Sequence, residues 1–499
     1  MKTPIGQCRI AWLAITLCAV AAIPSRAQTF STVANFDGKN GALPYSMSVV
    51  QGTDGNLYGT TTSGGSKACG FSNGCGTIFE MTPAGALKTV YTFCRQANCA
   101  DGDFPNGLVL GTDGNFYGTT FGGGANSTCV NGSFVGCGTV FKITREGILT
   151  TLQSFNSTDG SLPAAALVLG IDGNFYGTTE YGGTLCANPG CGTVFKVTPS
   201  GKLTTLYSFG TYAGGSQPIA PLIQGSDGSF YGTTQYGGGG FCLGGCGTVF
   251  KITPSGTFTA LHSFNGDSDG AYPYAPLIQA SDGNFDGTTE SGGGYNYGTV
   301  FKMTPSGKLT TIVNFNGGNG QQPSAPLVQA TDGNFYGTTN IGGGWACGTV
   351  FEIAPGGLVT TLHTFTDDSN NNDDGCAPYG GFFQATNGVL YGDTYGGGNF
   401  FNRNLCPGGC GTVFSENIGA PPFVITVPTA AKSGGSVIIL GTNLTGATSV
   451  TFNGTAATFK VVSPTEITTT VPSGATTGAV QVVIPGGTLK SNVAFRVIQ

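Results

Sequence analysis

Four short runs of alternating apolar and polar residues recur in a fixed order along most of the chain. Using one copy of each as its label, they are a (APLVQ), b (NFYGTT), c (GTVFKIT) and d (LTTLYSF). Each is rich in β-branched and aromatic residues and has a period of two, which predicts a half-buried β-strand. Asp-Gly between a and b, and Pro-Ser-Gly between c and d, supply the positive backbone angles that tight hairpins need. Each unit therefore reads as a four-stranded antiparallel meander, the blade of a β-propeller.

The Asp-Gly turn with run b after it, a DGNFYGTT-like segment, starts at Asp54, Asp113, Asp172, Asp227, Asp282, Asp332 and, in altered form, Asn387. Run c ends at Phe79, Phe141, Phe195, Phe250, Phe301, Phe351 and Phe414. Run d ends at Phe36, Phe93, Phe155, Phe209, Phe264, Phe315 and Phe365. The first d run precedes every a, b and c, and the last unit stops at c. This offset predicts that residues 29–36 complete the last blade and close the ring, since an unclosed ring would leave strand edges unpaired. A linear solenoid would instead need polar caps at both ends. The expected fold is all-β: a seven-bladed propeller over 28–418 closed by its N-terminal strand, a linker at 419–422, and a further β-module over 423–499.

Composition narrows the function. Glycine is 88 of 499 residues and charged residues are only 9%, which argues against a helical protein. Lys2 and Arg9, an apolar stretch from Ile10 to Ile23 and Ser25-Arg26-Ala27 read as a signal peptide over 1–27. Its removal takes the net charge from −6 to −9. An acidic chain without a basic patch is not expected to bind nucleic acid. No later segment is long and apolar enough to span a bilayer. The expected location is extracellular or on the cell surface, with the periplasm as the other exported compartment. The sequence sets no oligomeric state.

The repeat order of proline, inner strand, Asp-Gly turn and aromatic strand is similar to that of NHL-type propellers. Over residues 29–417 the seven Asp-Gly-Asn-Phe-Tyr-Gly-Thr-Thr and Gly-Thr-Val-Phe copies more closely resemble the GloVer (Gloeo_Verruco) tandem repeat of bacterial exported proteins. That resemblance implies no particular activity. The family is associated with C-terminal sorting anchors. The sequence ends at Gln499 without an apolar anchor or basic tail, so the anchored form is not expected. After Asn417 the pattern changes. Gly434-Gly435, Val437–Leu440, Gly441-Thr-Asn443, Val450-Thr-Phe452-Asn-Gly454, Ile467-Thr and Val471-Pro472 resemble an IPT/TIG domain, which implies an immunoglobulin-like sandwich that binds a partner or spaces other modules.

Fourteen cysteines remain after the leader. Cys75, Cys137, Cys191, Cys246, Cys347 and Cys410 each precede the Gly-Thr of a c run, and Cys69, Cys129, Cys186, Cys242 and Cys406 lie near five of them. Cys94 and Cys99 bracket one d–a crossing, and Cys347 and Cys376 remain. An even count in an exported chain points to disulfides. Zinc sites gather four ligands from paired motifs or add histidine, whereas these pairs belong to different units.

Variable loops on a rigid frame are the expected binding surface, which places a site on the b–c and d–a side. Trp345 stands in a glycine-rich b–c loop, and Tyr181, Tyr236, Tyr295, Tyr297 and Tyr395 stand in equivalent loops. Such aromatics stack on sugars or anchor proteins, although packing over neighbouring loops is the commoner role. The six turn aspartates sit where hairpins want them. His262 and His363 share a d-run position with Val313, which argues against catalysis there. Asp368, Asn370, Asn372 and Asp374 place oxygen atoms as calcium loops do. The glycine and distant glutamate of such loops are missing, so a solvated acidic loop is the main reading and no cofactor or other metal is expected.

Two functions are carried forward. The first is a non-enzymatic extracellular binding or adhesion protein whose propeller loop face takes a glycan or a surface protein. The alternative is a glycan lyase or hydrolase whose carboxylates, from among Asp101, Asp103, Asp159, Asp267, Asp269 and Asp374, meet above the centre of the ring.

Overall fold

The computed structural model describes residues 28–498, apart from 46–48, 128, 132–133, 187–189, 211–213, 345–346, 367–373, 399–405 and 407. The leader 1–27, Trp345, and Asp368, Asn370 and Asn372 of the calcium alternative lie outside the described residues. The architecture is all-β. Its one helical element among the described residues is a 3-10 turn at Ala97–Cys99, and none is long and apolar enough to cross a membrane.

Sheet 1 runs in chain order through Val50–Gln51, Leu57–Thr61, Thr77–Met81 and Leu87–Thr92. Sheets 2 to 6 repeat this order over 103–154, 168–208, 223–263, 278–314 and 328–364. Sheet 7 takes Phe383–Gln384, Leu390–Thr394 and Thr412–Asn417, and its fourth strand is Thr29–Asn35. That strand carries the signature of a d strand. Every c–d pair skips one residue of d, as between Tyr91 and Thr89 opposite Ile78 and Phe79, and Thr29–Asn35 skips Val33 in the same place. Such a bulge sharpens the local twist. Strand a is shorter than its apolar run predicts, with two paired residues in six of the seven sheets. Three of these runs carry Pro221, Pro276 or Pro326, which have no N–H to give a ladder.

Consecutive sheets meet through one repeated aromatic contact. The d-strand phenylalanine of one sheet packs edge-on against the c-strand phenylalanine of the next, as in Phe93–Phe141 at 5.4 Å and Phe155–Phe195 at 5.0 Å. The same contact joins sheet 7 to sheet 1, through Phe36 and Phe79 at 5.2 Å. A strand-a glutamine repeats the logic. Gln279 accepts the Ser226 N–H at 2.7 Å, and Gln51 of sheet 1 accepts the Thr386 N–H of sheet 7 at 3.0 Å.

The Asp-Gly turns have a local cause. Asp54 accepts the Asn56 N–H at 3.1 Å and the Tyr58 hydroxyl at 2.8 Å, and the same tyrosine–aspartate bond recurs at 117/113, 176/172, 231/227 and 336/332. At the other end of the b–c hairpin, paired threonines such as Thr179 and Thr193 share a hydrogen bond of 2.8 Å. The crossing glycine above them, Gly160 at φ +132°, leaves no room for a Cβ, which would lie 2.6 Å from Thr179 Oγ1.

Residues from Val424 onward build a separate core from Val437, Ile439, Phe452, Ile467, Val482 and Phe495. Two four-stranded sheets enclose it: Ile425–Val427, Ser436–Leu440, Glu466–Thr470 and Phe459–Ser463, and Thr455–Ala456, Ser449–Phe452, Val480–Ile484 and Gly487–Lys490. Strand Ser436–Leu440 is buried on both faces. Val437 and Ile439 point into this core, whereas Ile438 and Leu440 pack with Tyr58, Leu110 and Phe116 of the first two repeat sheets. A strand covered on both sides reads as an unbroken apolar run, as Val-Ile-Ile-Leu does. Thr465 donates to the Thr53 carbonyl at 2.7 Å and Arg496 to that of Gly225 at 2.6 Å. The C-terminal module thus sits directly on the a–b turn side, a closer attachment than the spacer role implied by its family.

Candidate functional site

Two positions of the repeat vary while their surroundings stay nearly constant. The residue after the crossing proline is Tyr45, Asn106, Ala164, Ile219, Tyr274, Ser324 or Tyr379. The residue after the b strand is Thr62, Phe121, Glu180, Gln235, Glu290, Asn340 or Tyr395. All seven of the first set and five of the second line one cavity of about 490 Å³, to which every repeat sheet contributes. It lies where b strands end and a strands begin, on the side of the b–c loops and d–a crossings.

The cavity is lopsided because the inserts differ in size. Tyr45 and Tyr274 share a hydrogen bond of 2.7 Å between their hydroxyls. The rings of Tyr45 and Tyr379 lie 5.0 Å apart, and Tyr395 lies 5.6 Å from Tyr45. These residues form an aromatic wall, whereas Ala164, Ile219, Asn106 and Gln235 leave space on the other flank. Burial raises the pKa of Tyr45, with the Tyr274 bond acting in the opposite direction. Burial also raises the carboxyls of Glu180 and Glu290. Tyr181 hydrogen-bonds Glu180 and opposes that shift. The Glu290 charge acts on Tyr45, Tyr274 and Tyr379. Asn340 bonds the Tyr379 phenol, and its own Oδ1 is buried without a partner. Among the described residues no lysine, arginine or histidine lines the cavity.

A second cavity of about 1100 Å³ shares Pro221, Pro276 and Pro326 with the first. Its walls are strand-a residues such as Leu277, Leu327 and Phe382, and the C-terminal module contributes Thr488, Lys490, Asn492 and Arg496. The two cavities are therefore stacked on either side of the strand-a prolines, with the module on the far side.

The residues singled out from sequence are distributed unevenly. Tyr395 belongs to the aromatic wall. Tyr181 acts through Glu180, and Tyr236 packs on Tyr272 at 5.6 Å. Tyr295 and Tyr297 are exposed and do not line the cavity. The crossing carboxylates do not converge as the enzymatic alternative requires. Asp101 accepts the Tyr91 hydroxyl at 2.8 Å and two N–H groups of its own loop. Asp159 caps Asn156, and Asp269 accepts the Asn265 N–H and pairs with His262 at 2.9 Å. Asp374 pairs with His363 at 3.0 Å, and Asp267 is absent from the cavity. Asp103 is buried and raised to about 7 by burial and then by Asp101, its partner in the same crossing. Short crossings need their N–H groups capped, and Asp101, Asp159 and Asp269 are spent there. The variable positions of the two glutamates were legible in the aligned repeats, as a break in an otherwise constant pattern.

The cysteine sulfurs meet in seven pairs: Cys69–Cys75, Cys94–Cys99, Cys129–Cys137, Cys186–Cys191, Cys242–Cys246, Cys347–Cys376 and Cys406–Cys410. Such pairs, like the C-terminal module, are consistent with an extracellular protein. Among the described residues no group of three or more His, Cys, Asp or Glu side chains is placed to hold a metal ion.

No curated protein matches the chain. Among solved structures it is similar to a candidate gluconolactonase, with 13% identity, 78% of this chain and 92% of that chain covered and a TM-score of 0.37. It is also similar to a protein of unknown function from Bacteroides thetaiotaomicron VPI-5482, with 14% identity, coverage of 78% and 76% and a TM-score of 0.42. The Gloeobacter/Verrucomicrobia repeat matches residues 19–130, 69–244 and 239–460, and the IPT/TIG domain matches residues 425–497. With these matches spanning most of its length, the chain belongs to the Gloeobacter/Verrucomicrobia repeat family and carries a C-terminal IPT/TIG domain.

Proposed function

We propose that this is an exported, non-enzymatic binding protein that takes an extracellular glycan in the 490 Å³ cavity. Residues 28–418 form a closed seven-bladed propeller, 419–422 a linker and 423–499 the IPT/TIG domain. Residues 1–27 are its signal peptide, and the seven cysteine pairs are disulfides that staple glycine-rich loops. Closure is supported by the Phe36–Phe79 contact, which repeats the contact between all other neighbouring sheets. The observation that carries the binding reading is the convergence of the two variable repeat positions on one cavity. A frame that needs only structure has no reason to vary at its centre while its turns and strands stay constant. Aromatic walls beside amides and hydroxyls suit sugars, which offer an apolar ring face and a polar rim.

A glycan array run beside a reducing-sugar release assay tests this reading. Retention of glycans by the mature protein, weakened by Tyr379→Ala and without release of sugar ends, is the expected result. Release of sugar ends would favour the alternative of a glycan lyase or hydrolase. Absence of any glycan binding would overturn the proposal.

A further inference from the structure

The charge of the cavity restricts the kind of glycan. We propose that its ligand is an amino sugar: a hydroxylated ring bearing a free ammonium group, held against the tyrosine wall with its charge facing Glu180. The inference rests on the binding reading above and deepens it.

Three independent features support it. First, the carboxylates are unbalanced. Glu180 lines the cavity, Glu290 acts electrostatically on three of its tyrosines, and among the described residues no cationic side chain lines it. Neither glutamate is engaged in an ion pair among the described residues, whereas Asp113, Asp227 and Asp282 of the turns each hold a lysine at 2.7 Å. Burial has already raised both glutamates, so an arriving ammonium would relieve a desolvation cost that the fold leaves standing. An acidic sugar would make that cost worse.

Second, the remaining polar groups suit hydroxyls. Asn106, Gln235 and Ser324 line the same space, and each can donate or accept. Third, the wall is aromatic but not a closed cage. Tyr45, Tyr379 and Tyr395 already pack on one another at 5.0 to 5.8 Å between ring centres. They leave no space for a bare cation between them, but present a surface on which a sugar ring can lie while its ammonium reaches Glu180. A small quaternary ammonium ion lacks the hydroxyls to use the opposite flank.

Isothermal titration of the full mature chain with three oligosaccharides of equal length tests the inference: a glucosamine oligomer, its N-acetylated counterpart and a glucose oligomer. N-acetylation keeps the ring and removes the charge. The glucosamine oligomer is expected to bind about tenfold or more tightly than the other two, the scale of one charge-assisted contact. The double variant Glu180→Gln/Glu290→Gln should lose that preference while keeping weak binding of the neutral oligomers. Near-UV circular dichroism establishes that this variant is folded, and Glu180→Gln alone serves if it is not. Equal or tighter binding of the neutral oligomers would overturn the inference and leave the glycan reading standing. Failure of all three, together with an empty glycan array, would overturn both.

Discussion

The hydroxyls of Tyr45 and Tyr274 meet at 2.7 Å, although 229 residues separate them and they enter from sheets 1 and 5. This contact fixes which side of the cavity is walled and which is open. Tyr274→Phe removes one hydrogen bond and leaves the ring in place. We expect a loss of about 1 kcal/mol in urea unfolding. Larger and sharper changes are expected in ligand binding, because Tyr45 is then free to leave the wall.

Strand Thr29–Asn35 completes sheet 7 by pairing with Thr412–Asn417. Deleting residues 28–36 should strip that sheet of its outer strand and remove Phe36 from Phe79. The expected outcome is aggregation through the exposed edge or loss of cooperative unfolding, read by light scattering after size exclusion. A monomeric deletion variant as stable as the parent would contradict ring closure.

Asp286 stands where the six other sheets have tyrosine, at the position that packs on the next sheet. Phe335 beyond it is 9% exposed, whereas Phe116, Phe175, Phe230 and Phe285 are at most 1% exposed. Burial raises the Asp286 carboxyl to about 7, against the opposing charge of Lys302 and with a smaller contribution from Asp282. Its folded pKa exceeds its unfolded value of about 3.9. The neutral form is therefore favoured by folding, and stability falls as pH rises from about 4 to 7. Asp286→Tyr should fill the gap and remove this dependence. We expect a stabilisation on the order of 1–3 kcal/mol at pH 8 and a smaller one at pH 4, measured by denaturant midpoints.

The cysteine pairs should differ in weight. Cys347–Cys376 spans 29 residues, whereas the others span 4 to 8. Loop-closure entropy gives about 3–4 kcal/mol for the long loop and about 2 kcal/mol for a short one. Replacing both Cys347 and Cys376 with serine should therefore lower the unfolding midpoint more than the same change at Cys242 and Cys246. Protein taken from the extracellular side should show no titratable thiols among the fourteen. A full set of free thiols would refute the pairing.

Residues from Val424 onward build their own core but share Ile438 and Leu440 with the repeat sheets. Removing 419–499 should leave the far-UV spectrum of the repeat region intact. It should also lower its melting temperature, because Tyr58, Leu110 and Phe116 lose their cover. Each buried aliphatic side chain contributes about 1.5–3 kcal/mol, so the change should be easily measured. Arg496→Ala, which removes the bond to Gly225, should reproduce part of it.

The repeat was readable because its causes are local. Asp54 caps its own turn and bonds Tyr58 four residues on, so Asp-Gly-Asn-Leu-Tyr carries a hairpin wherever it stands. The position of Thr29–Asn35 followed from counting strand types. The domain change after Asn417 followed from a change of pattern. The cavity between the sheets was not readable in the same way. Tyr45, Glu180 and Tyr274 belong to three different repeats, and nothing within its own unit tells what each will face. Only the arrangement of the sheets brings them to one cavity. Attention to loops favoured Tyr295 and Tyr297, which the structure leaves exposed and outside it.

By itself the sequence determined the strand order, the turns and the cysteine-bearing loops, since each depends on residues within a few positions of one another. Tertiary structure alone decided which side chains share the central space and that the C-terminal module covers the a–b turn side. Those outcomes depend on side-chain volume and charge summed over sheets that are hundreds of residues apart. No periodicity within one unit encodes them, because a meander looks the same whether its neighbour carries tyrosine, glutamate or alanine at the point where the chains converge.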